Sequence, residues 1–121
     1  MAVDVKTFIK QYLIGPYAVG ETPDALQISF KNSGGDALDL TGYSLGFSII
    51  RLDGDDPGGL AAGVSSLSDA ANGVTQYQWD ADDFLTEGHY RGVMWVTNGS
   101  IRRASEIFEW YVRDTGTTSP V

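Results

Sequence analysis

Strict alternation of apolar and polar residues constrains the fold of this chain more than any other feature. It runs through residues 25–32, "ALQISFKN", and as far as Ile49 through the predicted strand at residues 43–52, "YSLGFSIIRL". The apolar positions on one side are Leu26, Ile28 and Phe30 in the first segment, and Tyr43, Leu45, Phe47 and Ile49 in the second. Such a pattern predicts β-strands with one buried face, and no stretch of the sequence sustains a helical period.

Five further segments are predicted to be strands, and glycine-rich turns separate them. They are residues 6–14, 60–67, 73–79, 89–97 and 101–112. The turn Asn98-Gly99 between the last two is a strong hairpin signal, because both residues tolerate positive φ in a type I′ turn. About seven short strands predict an all-β fold, an immunoglobulin-like antiparallel β-sandwich. We expect one domain over residues 1–113, followed by a flexible polar tail over residues 114–121.

The composition argues against several classes of function. The chain of 121 residues has a formal net charge of −8, with eight Lys and Arg residues against sixteen acidic ones. We therefore expect no nucleic-acid partner. No apolar run approaches the roughly 18 residues of a membrane span, so no membrane partner is expected either. The absence of cysteine excludes disulfides, thiolate metal sites and cysteine nucleophiles.

The acidic residues and the single histidine are candidates for a catalytic or metal site, and a structural role is the alternative for each. His89, the only histidine, has Glu87 and Arg91 on the same side of its predicted strand. A lone histidine at a strand start is more often solvated, and no nucleophile motif accompanies it. The segment 53–59, "DGDDPGG", lacks the alternating ligand register of a calcium loop, so a surface hairpin loop is favoured. We predict no catalytic residue, no metal site and no cofactor.

The segment from Asp80 to Gly92 indicates a structural corner. The short carboxylates of Asp80, Asp82 and Asp83 are suited to capping a helical turn or accepting backbone N–H bonds. Tyr90 follows a glycine just inside a late strand, which is where immunoglobulin-like sandwiches make a tyrosine corner. We therefore predict that Tyr90 is buried and that its hydroxyl bonds the backbone of the preceding corner. Antibody domains have cysteine two residues later, where this chain has Gly92.

An ordered series of short motifs extends this pattern. It runs through "DLTG" at 39–42, "DG" at 53–54, "NGV-x-x-Y-x-W" at 72–79 and "G-x-Y" at 88–90, before a last strand ending "IFEWYV". The series resembles the immunoglobulin-like N-terminal domain of phage baseplate upper proteins, a family of tailed-phage virions. The resemblance implies a non-enzymatic virion protein that docks to other phage structural proteins, in the baseplate or tail, at the neck or on the capsid surface. Whether it acts as an oligomer there is left open.

The last strand is predicted to contain a β-bulge. A two-residue turn at Asn98-Gly99 pairs Val96 with Ile101, and unbroken pairing would then turn Ile107 and Glu109 inward. The family pattern instead requires that the alternate residues face the core. Those residues are Phe108, Trp110 and Val112. One extra residue reverses every later side chain, so we expect a bulge between Arg103 and Ile107.

The first strand is the predicted docking segment, within residues 1–17. Phe8, Tyr12 and Ile14 fall on one of its sides and Ile9 and Leu13 on the other, whereas a first strand buries only one side. The surplus side could meet a neighbour by packing or strand addition. The predicted docking residues are Phe8, Tyr12, Ile14, Tyr17 and Trp95. A strand covered on both sides by the sandwich is the competing interpretation.

The three tryptophans bear on an alternative function. Alternation places Trp79 and Trp110 on inward faces and leaves Trp95 partly exposed. The alternative is a carbohydrate-binding module that attaches the virion to host glycans. An exposed row of two or three aromatic side chains would favour that alternative.

Overall fold

The computed structural model describes residues 11–53 and 61–117, and this part of the chain is built from strands. The strands are β1 Gln11–Leu13, β2 Tyr17–Ala18, β3 Leu26–Ser29, β4 Ser44–Arg51, β5 Val64–Asp69, β6 Val74–Gln78, β7 Gly88–Asn98, β8 Ile101–Ala104 and β9 Ile107–Arg113. Two short 3-10 helices, Ala70–Asn72 and Ala81–Phe84, precede β6 and β7. The predicted strand at 6–14 is described only from Gln11 onward, and the loop at 54–60 and the tail beyond residue 117 lie outside the described residues.

The strands form two sheets that pack face to face. The larger sheet has six strands in the order β1-β9-β7-β4, with β2 also pairing with β9 and β8 with β7. The smaller sheet has the order β3-β6-β5. The prediction of an all-β, immunoglobulin-like sandwich is confirmed. Two details differ: nine strands are described instead of about seven, and β1 and β2 run parallel to β9, so the larger sheet is not wholly antiparallel.

Aromatic side chains fill the space between the sheets. Trp79 is 4% exposed and Trp110 is fully buried, which confirms their predicted inward positions. The Phe47 ring stacks on Tyr77 with centroids 4.3 Å apart. Gly92 stands opposite these rings, and a Cβ there would lie only 2.6 Å from Phe47 and 2.8 Å from Trp110. The rings thus occupy the space that a side chain at position 92 would need. Packing of these rings holds the two sheets together.

The corner before β7 has the predicted structure. Tyr90 is 7% exposed, and its hydroxyl donates to the backbone carbonyl of Thr86 at 2.6 Å. The carboxylate of Asp80 accepts the backbone N–H of Asp82 at 2.9 Å, and that of Asp83 accepts the N–H of Asp80 at 3.0 Å. The acids of this segment therefore cap the second 3-10 helix, as the turn interpretation predicted.

The last hairpin lies where predicted but with a different turn. Asn98 still pairs with Ile101, so the two central residues are Gly99 and Ser100. A type I′ turn requires positive φ at both central residues, whereas a type II′ turn requires it only at the first. Gly99 has φ 60°, and Ser100 does not have positive φ, so the turn matches type II′. Val96 consequently pairs with Arg103 and not with Ile101. The shift is two residues, so every side chain keeps the face that was predicted for it.

The predicted β-bulge is present between β8 and β9. Trp95 opposes Ala104 in the hairpin, whereas Gly92 opposes Phe108, so the register changes by one residue between the two pairings. Ser105 occupies the irregular position, where its N–H donates to Met94 O at 2.8 Å and its Oγ accepts the N–H of Met94 at 2.9 Å. The change turns three side chains toward the core, namely Phe108, Trp110 and Val112.

Candidate functional site

The side of the six-stranded sheet that points away from the core carries the candidate site, and we call it the outer face. One row of residues crosses four strands of it: Leu13 opposes Glu109, Glu109 opposes Arg91, and Arg91 opposes Ile50. Because side chains alternate between the two faces of a strand, the register also identifies the other members. The outer face comprises Leu13, Ala18, Ser44, Gly46, Ser48, Ile50, His89, Arg91, Val93, Trp95, Thr97, Arg102, Ala104, Ile107, Glu109, Tyr111 and Arg113.

Large apolar side chains are exposed to solvent on this face. Leu13 is 73% exposed, Tyr111 51%, and Ile50 and Trp95 41% each. The opposite surface of the sandwich differs: across its middle, Gln27 opposes Gln76, which opposes Ser66. Single exposed apolar residues are ordinary, but several on one sheet face are typical of a surface that a partner covers.

A charged cluster occupies the middle of the outer face. Arg91 Nη2 lies 2.7 Å from Glu109 Oε1, and Nε2 of His89 lies 3.2 Å from the other carboxylate oxygen. The hydrogen bonds from Arg91 hold the pKa of the Glu109 carboxyl below its usual range, although burial opposes the shift. The His89 ring also stacks on Tyr111, with centroids 4.2 Å apart. His89 therefore has its carboxylate partner on β9, where sequence analysis had named Glu87 on its own strand.

This cluster can be covered without leaving a charge unpaired. The Glu109 carboxylate accepts from both neighbours, and its side chain is only 15% exposed. Removing one partner of a buried ion pair is costly, whereas a pair that is already formed can lie beneath an interface. The outer face thus combines an exposed apolar perimeter with a neutralised centre.

The residues of the predicted docking strand divide between the core and the surface. Tyr12, 40% exposed, stacks on Phe108 with centroids 5.7 Å apart and lines a groove of about 590 Å³ between β1 and β3. Ile14 and Tyr17 pack against the core, and the Tyr17 ring lies 5.1 Å from that of Phe84. The prediction that Ile14 lies on a side surplus to the fold is therefore wrong, and Tyr17, predicted as a docking residue, also packs against the core. Phe8 lies outside the described residues.

The parallel register with β9 explains this correction. Tyr12 opposes Phe108, an inward residue, so Tyr12 and Ile14 face inward and Leu13 faces outward. Alternation separates the two sides of this strand correctly, but the side that faces outward is that of Leu13 and not the predicted one. Ile50 and Tyr111 were not predicted as surface contacts, although each is a large apolar residue on the polar side of an alternating strand. The prediction that Trp95 is partly exposed is confirmed.

A shallow depression of about 390 Å³ lies at one end of the outer face, beside Trp95. Gly46 opposes Trp95 across the sheet, and a Cβ built on Gly46 meets no heavy atom within 4 Å. Thr97 opposes both Ser44 and Arg102, which complete the rim. Within the described part of the chain, the Arg102 side chain forms no hydrogen bond or ion pair.

Nothing in the described ranges forms a group of three or more His, Asp and Glu side chains arranged to hold a metal ion. Nor do those ranges contain a helix long and apolar enough to cross a membrane. No family model matches the chain, and a search of the curated proteins finds no match.

Proposed function

We propose that this chain is a non-enzymatic structural module of a tailed-phage virion, and that it docks to a neighbouring protein subunit through the outer face. One observation carries the docking function. The strands of the smaller sheet expose one large apolar side chain, Val64, whereas the outer face of the larger sheet exposes four. They are Leu13, Ile50, Trp95 and Tyr111. Burial of exposed apolar surface stabilises protein association, and aromatic side chains are enriched in interfaces relative to the rest of the surface.

The virion setting is supported by the ordered motifs of the sequence. The series from "DLTG" at 39–42 to "G-x-Y" at 88–90 resembles that of baseplate upper proteins, and the resemblance implies docking within a virion. The proposal covers a place in the baseplate or tail, at the neck or on the capsid surface. The partners would be other phage structural proteins.

The carbohydrate-binding alternative has less support. It requires a row of exposed aromatic rings, but Tyr111 lies opposite His89, six residues before Trp95 along β7. At about 3.3 Å per residue, roughly 20 Å separates the two rings' strand positions. Tyr12 is on the inward side of β1. These three side chains therefore do not form one stacking platform for a sugar chain.

Incorporation into particles tests the proposal. In the phage that encodes the chain, its gene would be replaced by the double variant Leu13→Glu/Ile50→Glu, and purified particles would be measured by quantitative mass spectrometry. We expect a loss of incorporation of at least about tenfold, because two carboxylates would be buried without partners. Val64→Glu is the matched control, since Val64 is 66% exposed on the other sheet.

Two results would each overturn one part of the proposal. Normal incorporation of the double variant would remove the outer face as the docking surface. Absence of the wild-type chain from particles would remove the virion setting. Circular dichroism and thermal melting of each purified variant establish that the sandwich is folded before incorporation is compared.

A further inference from the structure

We infer that the docking partner presents a carboxylate next to an apolar side chain, and that the depression between Trp95, Gly46 and Arg102 receives this pair. The inference rests on the proposed docking function and names the chemistry of the partner. It assigns the apolar side chain to the space above Gly46, against the Trp95 indole. It assigns the carboxylate to the Arg102 guanidinium at the rim.

The shape of the depression supports the apolar half of this assignment. Gly46 is in the middle of β4, at the position directly opposite Trp95. The missing side chain leaves open space there, because a Cβ would touch nothing within 4 Å. Trp95 is held on the sheet by its pairing with Gly46 and Ala104, with 41% of its surface exposed. Well-packed pockets around exposed tryptophans are where interface energy concentrates.

The distribution of charge supports the carboxylate half. Three arginines lie on the outer face, namely Arg91, Arg102 and Arg113, and the only acid among the described residues of that face is Glu109. Arg91 and His89 already engage that carboxylate. The outer face is therefore a basic part of a chain whose formal net charge is −8. An interface is most specific when the potentials of the two surfaces are complementary, so the partner should be acidic.

A second copy of the chain and an acidic glycan fit this face less well. Symmetric pairing of two outer faces would bring two net-positive surfaces together. An acidic sugar could use Trp95 and Arg102, but it would leave the exposed aliphatic side chains of Leu13 and Ile50 uncovered. An acidic protein segment can satisfy all of these contacts at once.

The test uses the full chain and a displayed library of random peptides as the probe. We expect selection to enrich peptides in which Asp or Glu adjoins an aromatic or aliphatic residue. Their affinity should fall at least about tenfold for Arg102→Glu and for Gly46→Val, which reverse the charge and fill the depression. Arg103→Glu is the matched control, because Arg103 is adjacent, equally cationic and opposite the inward residue Val96. Its effect should be clearly smaller.

Several results would overturn the inference. The first two are failure to enrich any peptide and enrichment of peptides without a carboxylate. Equal losses of peptide affinity for Arg102→Glu and Arg103→Glu would also contradict the inference. So would preferential binding of uronic or sialic oligosaccharides, or self-association of the chain that Arg102→Glu abolishes. In the particle assay, normal incorporation of Arg102→Glu beside loss of Leu13→Glu/Ile50→Glu would refute this inference alone. Loss with both variants, and not with Arg103→Glu, supports it.

Discussion

Asp83 is a carboxylate at the edge of the core, 8% exposed, and it accepts several hydrogen bonds there. The Tyr77 hydroxyl donates to its carboxylate at 2.6 Å and accepts the N–H of Gly63 at 2.8 Å, while the N–H of Ala62 donates to Asp83 at 2.9 Å. Burial, together with the neighbouring carboxylate, raises the pKa of Tyr77. Buried polar groups destabilise a fold unless they are paired, so this network ties the start of β5 to the second 3-10 helix.

Replacement of Tyr90 by phenylalanine tests the corner at the level of one atom. The change leaves the Thr86 carbonyl without its 2.6 Å donor and should lower the free energy of unfolding by about 1–3 kcal/mol. Urea denaturation measures the effect. Tyr111→Phe makes the same chemical change on a ring that is 51% exposed and should be nearly neutral. Equal midpoints for the wild type and Tyr90→Phe would show that the hydroxyl does not hold the corner.

Among the strands, the break between β8 and β9 determines which side of the last strand becomes core. Strand side chains alternate with a period of two residues, so a single additional residue exchanges the buried and exposed sets. Ser105 satisfies both backbone polar groups of Met94 in place of a regular strand residue. The outward positions of Glu109 and Tyr111, and with them the outer face, therefore depend on this irregularity.

Deletion of Ser105 should be far more damaging than its substitution. The deletion restores unbroken pairing and would turn Trp110 and its neighbours toward solvent, so we expect a chain without a cooperative unfolding transition. Ser105→Ala keeps the register. It removes the hydroxyl that accepts from Met94 N–H and donates to the Glu106 carbonyl, at a cost of about 1–3 kcal/mol. Near-ultraviolet circular dichroism and urea denaturation distinguish the two. A deletion variant that folds with its tryptophans buried would contradict this account.

Over the whole molecule, carboxylates with lowered pKa link stability to pH. Hydrogen bonds lower the pKa of three of them: Asp39 through Thr41, Asp53 through the N–H of His89, and Glu109 through Arg91. The unfolded chain then takes up protons at higher pH than the folded one. The stability contributed by these groups is complete above the unfolded pKa, about 4 for such carboxyls, and is lost as pH falls through the folded values.

Denaturation with urea at a series of pH values from 7 down to 3 should show this loss below about pH 4.5. Glu109→Gln removes one of the contributing groups, so its stability should decline less steeply over the same interval. The Asp82→Asn variant replaces a carboxyl that is not among the three named carboxyls, Asp39, Asp53 and Glu109, and it serves as the control. A profile of Glu109→Gln parallel to that of the wild type would contradict a contribution from Glu109.

Much of the fold follows from alternation, because neighbouring side chains of an extended strand must point in opposite directions whatever the strand pairs with. This local rule was sufficient to place Phe47, Tyr77 and Trp79 in the core and to leave Trp95 partly exposed. The predicted pairing of the last hairpin was wrong by two residues, but a shift of two residues leaves every side chain on the same face of the sheet, so the predicted faces were still correct. The corner at Tyr90 was predictable for a similar reason, as its partner lies four residues away in the chain.

Long-range pairing supplied what alternation could not. Whether Tyr12 or Leu13 faces outward depends on β1 lying parallel to β9, a strand almost a hundred residues later, and no local pattern encodes that partner. The same holds for His89 and Arg91, which meet Glu109 only because β7 and β9 are neighbours. The outer face is a product of strand order and register, so its four exposed apolar side chains became recognisable as one surface only after the sheet was assembled.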